Sequence, residues 1–308
     1  MADLHPLAGV YAAAVTPWRA DYGTGADSGL DLGSVPVLLR FLASRGCHGA
    51  LLFGTTGEGP SFSPTERESL LRAAADARRD LGDFRLLAGT GTPSLTETID
   101  LTRLAFELGF DGVVVLPPYY FRRATEDGLF NWFSELIDKA VPQDGYLLGY
   151  HFPDVAGIGF SVELLARLKS AFPKQFAGIK DSSHDPDLTR SLGEKFGSDL
   201  VVLTGTDSYL QLAMESNAAG CITAPANLIS PDLRAVWDQM RAGKDVSKSQ
   251  SKVNDQRHLL EKYAPFPPSL KALLNRVHGL PRWDVRPPLQ SLSAAQEEQA
   301  FSEFSKLN

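Results

Sequence analysis

One feature narrows the choice of fold more than any other: strand-like and helix-like segments alternate along most of the chain. Gly9 to Thr16 reads as a first strand closed by Pro17, and Asp21 to Gly33 as a Gly/Asp-rich loop. Val35, Leu38, Leu39 and Leu42 then recur at helical spacing until Gly46. His48–Phe53, Phe84–Gly89, Gly112–Leu116 and Tyr146–Tyr150 continue the strand series. Phe176–Asp181, Leu200–Gly205 and Gly220–Thr223 complete it. Helices are expected between them. Ser63-Pro64-Thr65-Glu66 and Ser94-Leu95-Thr96-Glu97 carry the pattern of a capping box, in which a serine caps the first turn and a glutamate reaches back. Further helices are expected at Leu129–Ala140, at Ser161–Ser170 with Val162, Leu165 and Leu168 inward, near Leu188–Lys195, near Tyr209–Glu215, and from Ser230-Pro231.

About eight strand–helix units with β-branched strands and short loops predict an α/β fold, a closed (β/α)8 barrel over residues 1–244. Residues 245–308 are helical in pattern (Leu259–Tyr263, Leu270–Val277, Ala294–Leu307) and too short for a second α/β domain, so they are expected to pack on the barrel. Composition agrees with a chain that buries a sizeable core: of 308 residues, 43% are hydrophobic and 22% charged. A net charge of −7 argues against a nucleic-acid surface. Cys47 and Cys221 sit far apart in apolar contexts, so neither a disulfide framework nor a metal motif is expected, and a reducing cytoplasm fits. Met1–Pro6 lacks the pattern of a signal peptide, and no apolar run is long enough to span a bilayer.

In such a barrel, chemistry gathers where strands end and the following loops begin. Those positions hold Thr55, Thr56 and Glu58 after the second strand, and Tyr119 and Tyr120 after the fourth. Tyr150 and His151 stand at the fifth, Lys180 and Asp181 at the sixth, Thr206 and Asp207 after the seventh. Lys180 ends an apolar strand. Either it sits just beyond the strand in water, or it is buried, and a desolvated amine is a nucleophile able to form a Schiff base with a carbonyl. Gly54-Thr55-Thr56-Gly57-Glu58-Gly59 is a tight turn, or a turn whose free N–H groups bind an anion; it fits neither a Walker loop nor G-x-G-x-x-G. A strand-end tyrosine packs at the rim or relays a proton. Arg122-Arg123 is a solvated pair or an anion contact. The six histidines show no metal-ligand spacing, and no cofactor is expected.

Five of these segments together resemble the dihydrodipicolinate synthase / N-acetylneuraminate lyase family of Schiff-base aldolases. They are Gly54-Thr55-Thr56-Gly57-Glu58, Pro118-Tyr119-Tyr120, Tyr150 with Pro153, Gly178-Ile179-Lys180-Asp181 and Gly205-Thr206-Asp207. The resemblance covers nearly the whole chain. It implies a barrel that usually assembles as a homotetramer, a dimer of dimers. It implies that Lys180 forms an imine with pyruvate or another 2-keto acid and that Tyr150 relays a proton through Thr55. Tyr120 would complete the relay across a subunit interface. Thr55 and Thr56, with Gly54 and Gly57 of the same turn, would bind the pyruvate carboxylate through hydroxyls and backbone N–H groups, and Ile222 would line the pocket near the lysine.

One departure matters. Lysine-pathway synthases resemble Tyr-Asn-x-Pro-Ser-Arg-Thr-Gly after the relay tyrosine, and here Val155 stands where that arginine would clamp the second substrate's carboxylate. The run looks more like that of 2-keto-3-deoxy sugar-acid aldolases, with His151, Asp154, Thr206 and Asp207 then expected to bind substrate hydroxyls. The expectation is a pyruvate-dependent aldolase that cleaves a 2-keto-3-deoxy sugar acid, or forms it from pyruvate and an aldehyde, without nucleic-acid or membrane partners. A 4-hydroxy-tetrahydrodipicolinate synthase or a 2-keto-3-deoxy acid dehydratase using the same imine is the alternative. A non-catalytic ligand-binding barrel is the reading from another class; it would need neither the lysine nor the tyrosine.

Overall fold

A computed structural model describes residues 4–21 and 29–307. Most of the loop expected at 21–33 falls outside these residues, as do the first three residues of the chain. The barrel alternates from its start: β1 (Gly9–Ala13), α1 (Val35–Ser44), β2 (Gly49–Leu52), α2 (Pro64–Arg78), β3 (Arg85–Gly89), α3 (Leu95–Glu107), β4 (Gly112–Val115) and α4 (Glu126–Ala140). It continues with β5 (Leu147–His151), a one-turn α5 (Pro153–Ala156), α6 (Val162–Ala171), β6 (Phe176–Asp181), α7 (Pro186–Phe196), β7 (Val201–Thr204), α8 (Leu210–Glu215), β8 (Gly220–Thr223) and α9 (Ala226–Arg241). Then come α10 (Ser247–Glu261), α11 (Phe266–His278) and α12 (Ala294–Ser305). The strands pair in parallel in chain order, and β1 closes on β8. This is a (β/α)8 barrel followed by three helices.

Two apolar layers hold it together. Inside the strands lie Tyr11, Leu51, Leu87, Val114, Leu148 and Leu203. Their chain neighbours Ala50, Leu52, Val113 and Val115 face the helices. Alternate residues of a strand point to opposite faces, so one register decides which side chains reach the barrel axis. In the β5–β6 register Tyr150 stands opposite Lys180, after a shift between Leu147 and Leu148. Gly178 makes the lysine strand fit: a Cβ there would lie 1.9 Å from the Val201 carbonyl oxygen on β7.

Local signals account for most helix boundaries, and for where they fail. At α2 the capping box is complete: Ser63 Oγ accepts from Glu66 N–H at 3.3 Å, and Glu66 accepts from Ser63 N–H at 2.8 Å. At α3 only half of it forms. Ser94 Oγ accepts from Glu97 N–H, but the Ser94 N–H already donates to Thr92 Oγ1, so the glutamate has no donor to return to. In α6 the inward residues are Leu164, Leu165 and Leu168; Val162 is only half-buried in the first turn. Helix α9 begins before Ser230-Pro231, at Ala226, and breaks its geometry at Ile229 (φ −109°, ψ 21°). Pro231 lacks an N–H and its ring crowds the preceding turn, so the straight part starts where the sequence places it.

Candidate active site

Lys180 ends in the barrel. It is 3% exposed, and its Nζ lies 4.2 Å from the centroid of the Tyr150 ring. An ammonium or imine nitrogen over an aromatic face is held by the ring quadrupole. Tyr150 is buried too, and its hydroxyl lies 3.3 Å from Thr55 Oγ1, with either oxygen able to donate. The lysine, the tyrosine and the threonine thus come from β6, β5 and the loop after β2, meeting at the C-terminal face of the barrel.

The turn that carries Thr55 is fixed from below. Gly57 lies so close to β1 that a Cβ would stand 2.9 Å from the Ala14 carbonyl oxygen. Thr16 Oγ1 donates to Gly57 O at 2.7 Å. The turn closes through Glu58 N–H to Thr55 O and Gly59 N–H to Gly54 O. The amides of Thr56 and Gly57 have no partner among the described residues. Glu58 takes the left-handed conformation (φ 55°) and turns away from the lysine. Its carboxylate accepts from Lys271 Nζ at 2.6 Å and from the Arg286 N–H at 2.8 Å. Burial pulls Lys271 below the ordinary lysine range, and the Glu58 carboxylate opposes that shift.

A cavity of about 200 Å³ opens beside Lys180. Thr55, Thr56, Lys180 and Ile222 line it together with Tyr150 and Phe152. Ser182 and His184, from the loop after β6, line it too. Ala264–Pro267 and Arg257 of α10 contribute from the chain beyond the barrel. A smaller cavity of about 40 Å³ shares Thr55 and Tyr150 and continues past them to Gly54 and Tyr119. Burial raises the Tyr119 phenol above its ordinary value, against the pull of Arg67.

Over residues 6–306 the sequence matches the Dihydrodipicolinate synthetase family. The chain belongs to this family. It is 37% identical over 285 residues to an uncharacterized DapA-like lyase of Chloroflexus aurantiacus, covering 92% of each chain. It is 31% identical over 274 residues to a 4-hydroxy-tetrahydrodipicolinate synthase of Thermus thermophilus, covering 87% of this chain and 88% of that one. Among solved structures, YagE of E. coli K12 in complex with pyruvate superposes with a TM-score of 0.87 at 25% identity, covering 98% of both chains. The N-acetylneuraminate lyase of Proteus mirabilis, at 23% identity and a TM-score of 0.85 over 98% of this chain, shares the fold. As a member of this family the protein is a lyase of the imine-forming, class I type.

Within this family frame the expected site residues fall into three groups. Lys180, Tyr150, Thr55, Thr56 and Ile222 meet at one cavity. Gly54 and Gly57 shape the turn. Four others stand elsewhere. Tyr120 is 76% exposed, with Phe121 edge-on at 5.3 Å, and lines neither cavity. His151 does not line the cavity: its Nδ1 accepts the Phe160 N–H at 2.9 Å, and burial holds the imidazole below its usual value against the pull of Asp181. Thr206 meets His184 Nδ1 at 3.2 Å and so braces that ring from behind. Asp207, expected to bind substrate, is fully buried and accepts from Arg257 Nη1 at 3.1 Å. Burial pushes its carboxyl up and Arg257 draws it down.

Sequence reasoning missed Ser182, His184, Phe152, Arg257 and the 264–267 segment. Ser182 and His184 were findable, since they follow Lys180-Asp181 directly at a strand end. Arg257 and Ala264–Pro267 come from chain beyond the barrel, and nothing local announces that it folds back over the mouth. Burial pushes the Cys47 thiol up to about 12, which keeps it a thiol.

Proposed function

We propose that the protein is a pyruvate-dependent lyase in which Lys180 forms the imine. What carries this reading is the placement of Lys180 Nζ over Tyr150 in one cavity with the Thr55 hydroxyl. The neutral amine attacks the keto carbon, and loss of water leaves an imine. Tyr150, hydrogen-bonded to Thr55, moves the protons that these steps require. The carboxylate of the keto acid takes the Thr56 and Gly57 amides and the threonine hydroxyls. The protonated imine draws electrons from C3, so a C3 proton leaves or the C3–C4 bond breaks without a metal. Tyr120, exposed on its own chain, completes the relay from a neighbouring copy in an oligomer.

A sugar acid as the substrate has less support from the site than from the sequence, because His151 and Asp207 are engaged elsewhere. A second reading, 4-hydroxy-tetrahydrodipicolinate synthase, draws on the Thermus relative. Val155, exposed on α5, weakens it, since an aliphatic side chain cannot clamp a carboxylate. The test needs no second substrate. In D2O the protein should exchange the methyl protons of pyruvate for deuterium, seen by proton NMR. Lys180→Ala should abolish exchange and Tyr120→Phe should slow it. A folded wild-type protein without exchange would leave the non-catalytic barrel as the better reading.

A further inference from the structure

The lining of the cavity beside Lys180 mixes two chemistries. Thr55, Thr56 and Ser182 bring hydroxyls and His184 an imidazole. An apolar surface is supplied by Phe152, after β5, and by Ala264, Pro265, Phe266 and Pro267, which run into the first turn of α11. None of these five side chains carries a hydrogen-bonding group, and the two prolines also lack a backbone N–H. Ile222 and Ala224 extend the same surface from β8.

Arg257 is the charged group at this wall, and its charge is already met within the protein. Nη1 donates to Asp207 at 3.1 Å and Nε to Glu261 at 2.7 Å. Its guanidinium carbon lies 5.0 Å from the centroid of the Phe266 ring. It therefore backs and stiffens the aromatic wall, with two carboxylates competing against any anion that approaches. The residues expected from sequence to receive substrate hydroxyls, His151, Asp154, Thr206 and Asp207, do not line the cavity.

We propose that the substrate beyond C4 of the keto acid is apolar and of the size of an aromatic ring, so that the partner of pyruvate is an aryl aldehyde. This rests on the imine at Lys180. Hydroxyls pressed against Phe152 or the 264–267 segment lose water and gain no partner from those side chains, which penalises a polyol there. A ring loses nothing there and meets Phe152 and Phe266 in edge or offset contact. An apolar cavity of about 150 Å³ accommodates benzene; this one holds about 200 Å³ in all, the space for the pyruvate unit at Lys180 included. The chemistry balances without a co-reactant. C3 of the Lys180 enamine bonds to the aldehyde carbon, and the aldehyde oxygen takes a proton through Tyr150. Water then hydrolyses the imine, replacing the water lost when it formed, and releases a 4-aryl-4-hydroxy-2-keto acid. Cleavage is the same path reversed.

The test offers pyruvate with benzaldehyde, glyceraldehyde or aspartate semialdehyde to the wild-type protein and measures each condensation product by mass spectrometry. We expect kcat/KM for benzaldehyde to exceed that for either other aldehyde by about tenfold or more, the discrimination an apolar pocket achieves. Phe266→Ser should lower that ratio by about tenfold. Preference for glyceraldehyde or aspartate semialdehyde, or turnover of none of the three by protein that pyruvate and borohydride do modify at Lys180, overturns the inference. Protein that is not modified by pyruvate loses the imine reading as well, so the two failures are told apart.

Discussion

Lys180 and Tyr150 depend on each other through a single register pairing. The tyrosine hydroxyl is 3.3 Å from Thr55 and its ring centroid is 4.2 Å from the lysine nitrogen, so one side chain seats the amine and, in the proposed mechanism, also serves its protons. Removing only the hydroxyl separates these roles. Tyr150→Phe should keep the ring under Nζ, still form the imine, and lower the rate of pyruvate methyl exchange by about 10²–10⁴-fold. Exchange at the wild-type rate would remove Tyr150 from the relay. At this scale the sequence was readable where a residue's position follows from its place at a strand end, as for Lys180, Tyr150 and Thr55, which line one cavity. It misled at Asp207 and His151. Both stand at strand ends, yet one is claimed by an arginine fifty residues downstream and the other by the Phe160 amide. A long-range pair leaves no local trace.

Among the elements, the turn after β2 and helix α11 are fastened by one ion pair. The Glu58 and Lys271 side chains are both fully buried, 2.6 Å apart. Breaking a buried pair leaves a charge without compensation, at a cost of roughly 3–5 kcal/mol, whereas neutralising both members costs far less. Lys271→Met should therefore lower the urea midpoint sharply, and Glu58→Gln added to it should recover most of the loss. A double variant as unstable as the sum of the singles would show that the pair is not coupled. Strands and capping boxes were legible because they depend on neighbours in sequence, as at Ser63 and Glu66. The half-formed box at Ser94 was not, because Thr92 competes for the same amide. The approach of Arg257 and Ala264–Pro267 to the cavity was hidden for the same reason as Asp207: its partners are far away in the chain.

For the molecule as a whole, the eightfold alternation dictates a closed barrel, and closure brings residues 55, 150 and 180 together. Three half-buried histidines add a pH dependence to its stability. His5, His48 and His278 are each lowered from 6.5 to about 4, chiefly by burial, with nearby cations Lys169, Arg234 and Arg45 acting the same way. In the unfolded chain they take up protons near pH 6.5, so below that pH the unfolded state binds more protons than the folded one. The stability they contribute is complete above about pH 6.5 and declines as pH falls toward 4. Urea midpoints should drop between pH 7 and pH 5; a flat profile would mean that these rings are free to charge in the fold. No helix among the described residues is long and apolar enough to cross a membrane.

The imine is tested most directly by incubating the protein with pyruvate and borohydride, then weighing the intact chain and its peptides, with Lys180→Ala alongside. A reduced pyruvate adduct mapped to Lys180 and missing from the variant is the predicted result. A folded wild-type chain that gains no mass, or an adduct on another lysine, would contradict the assignment of Lys180 as the Schiff-base residue.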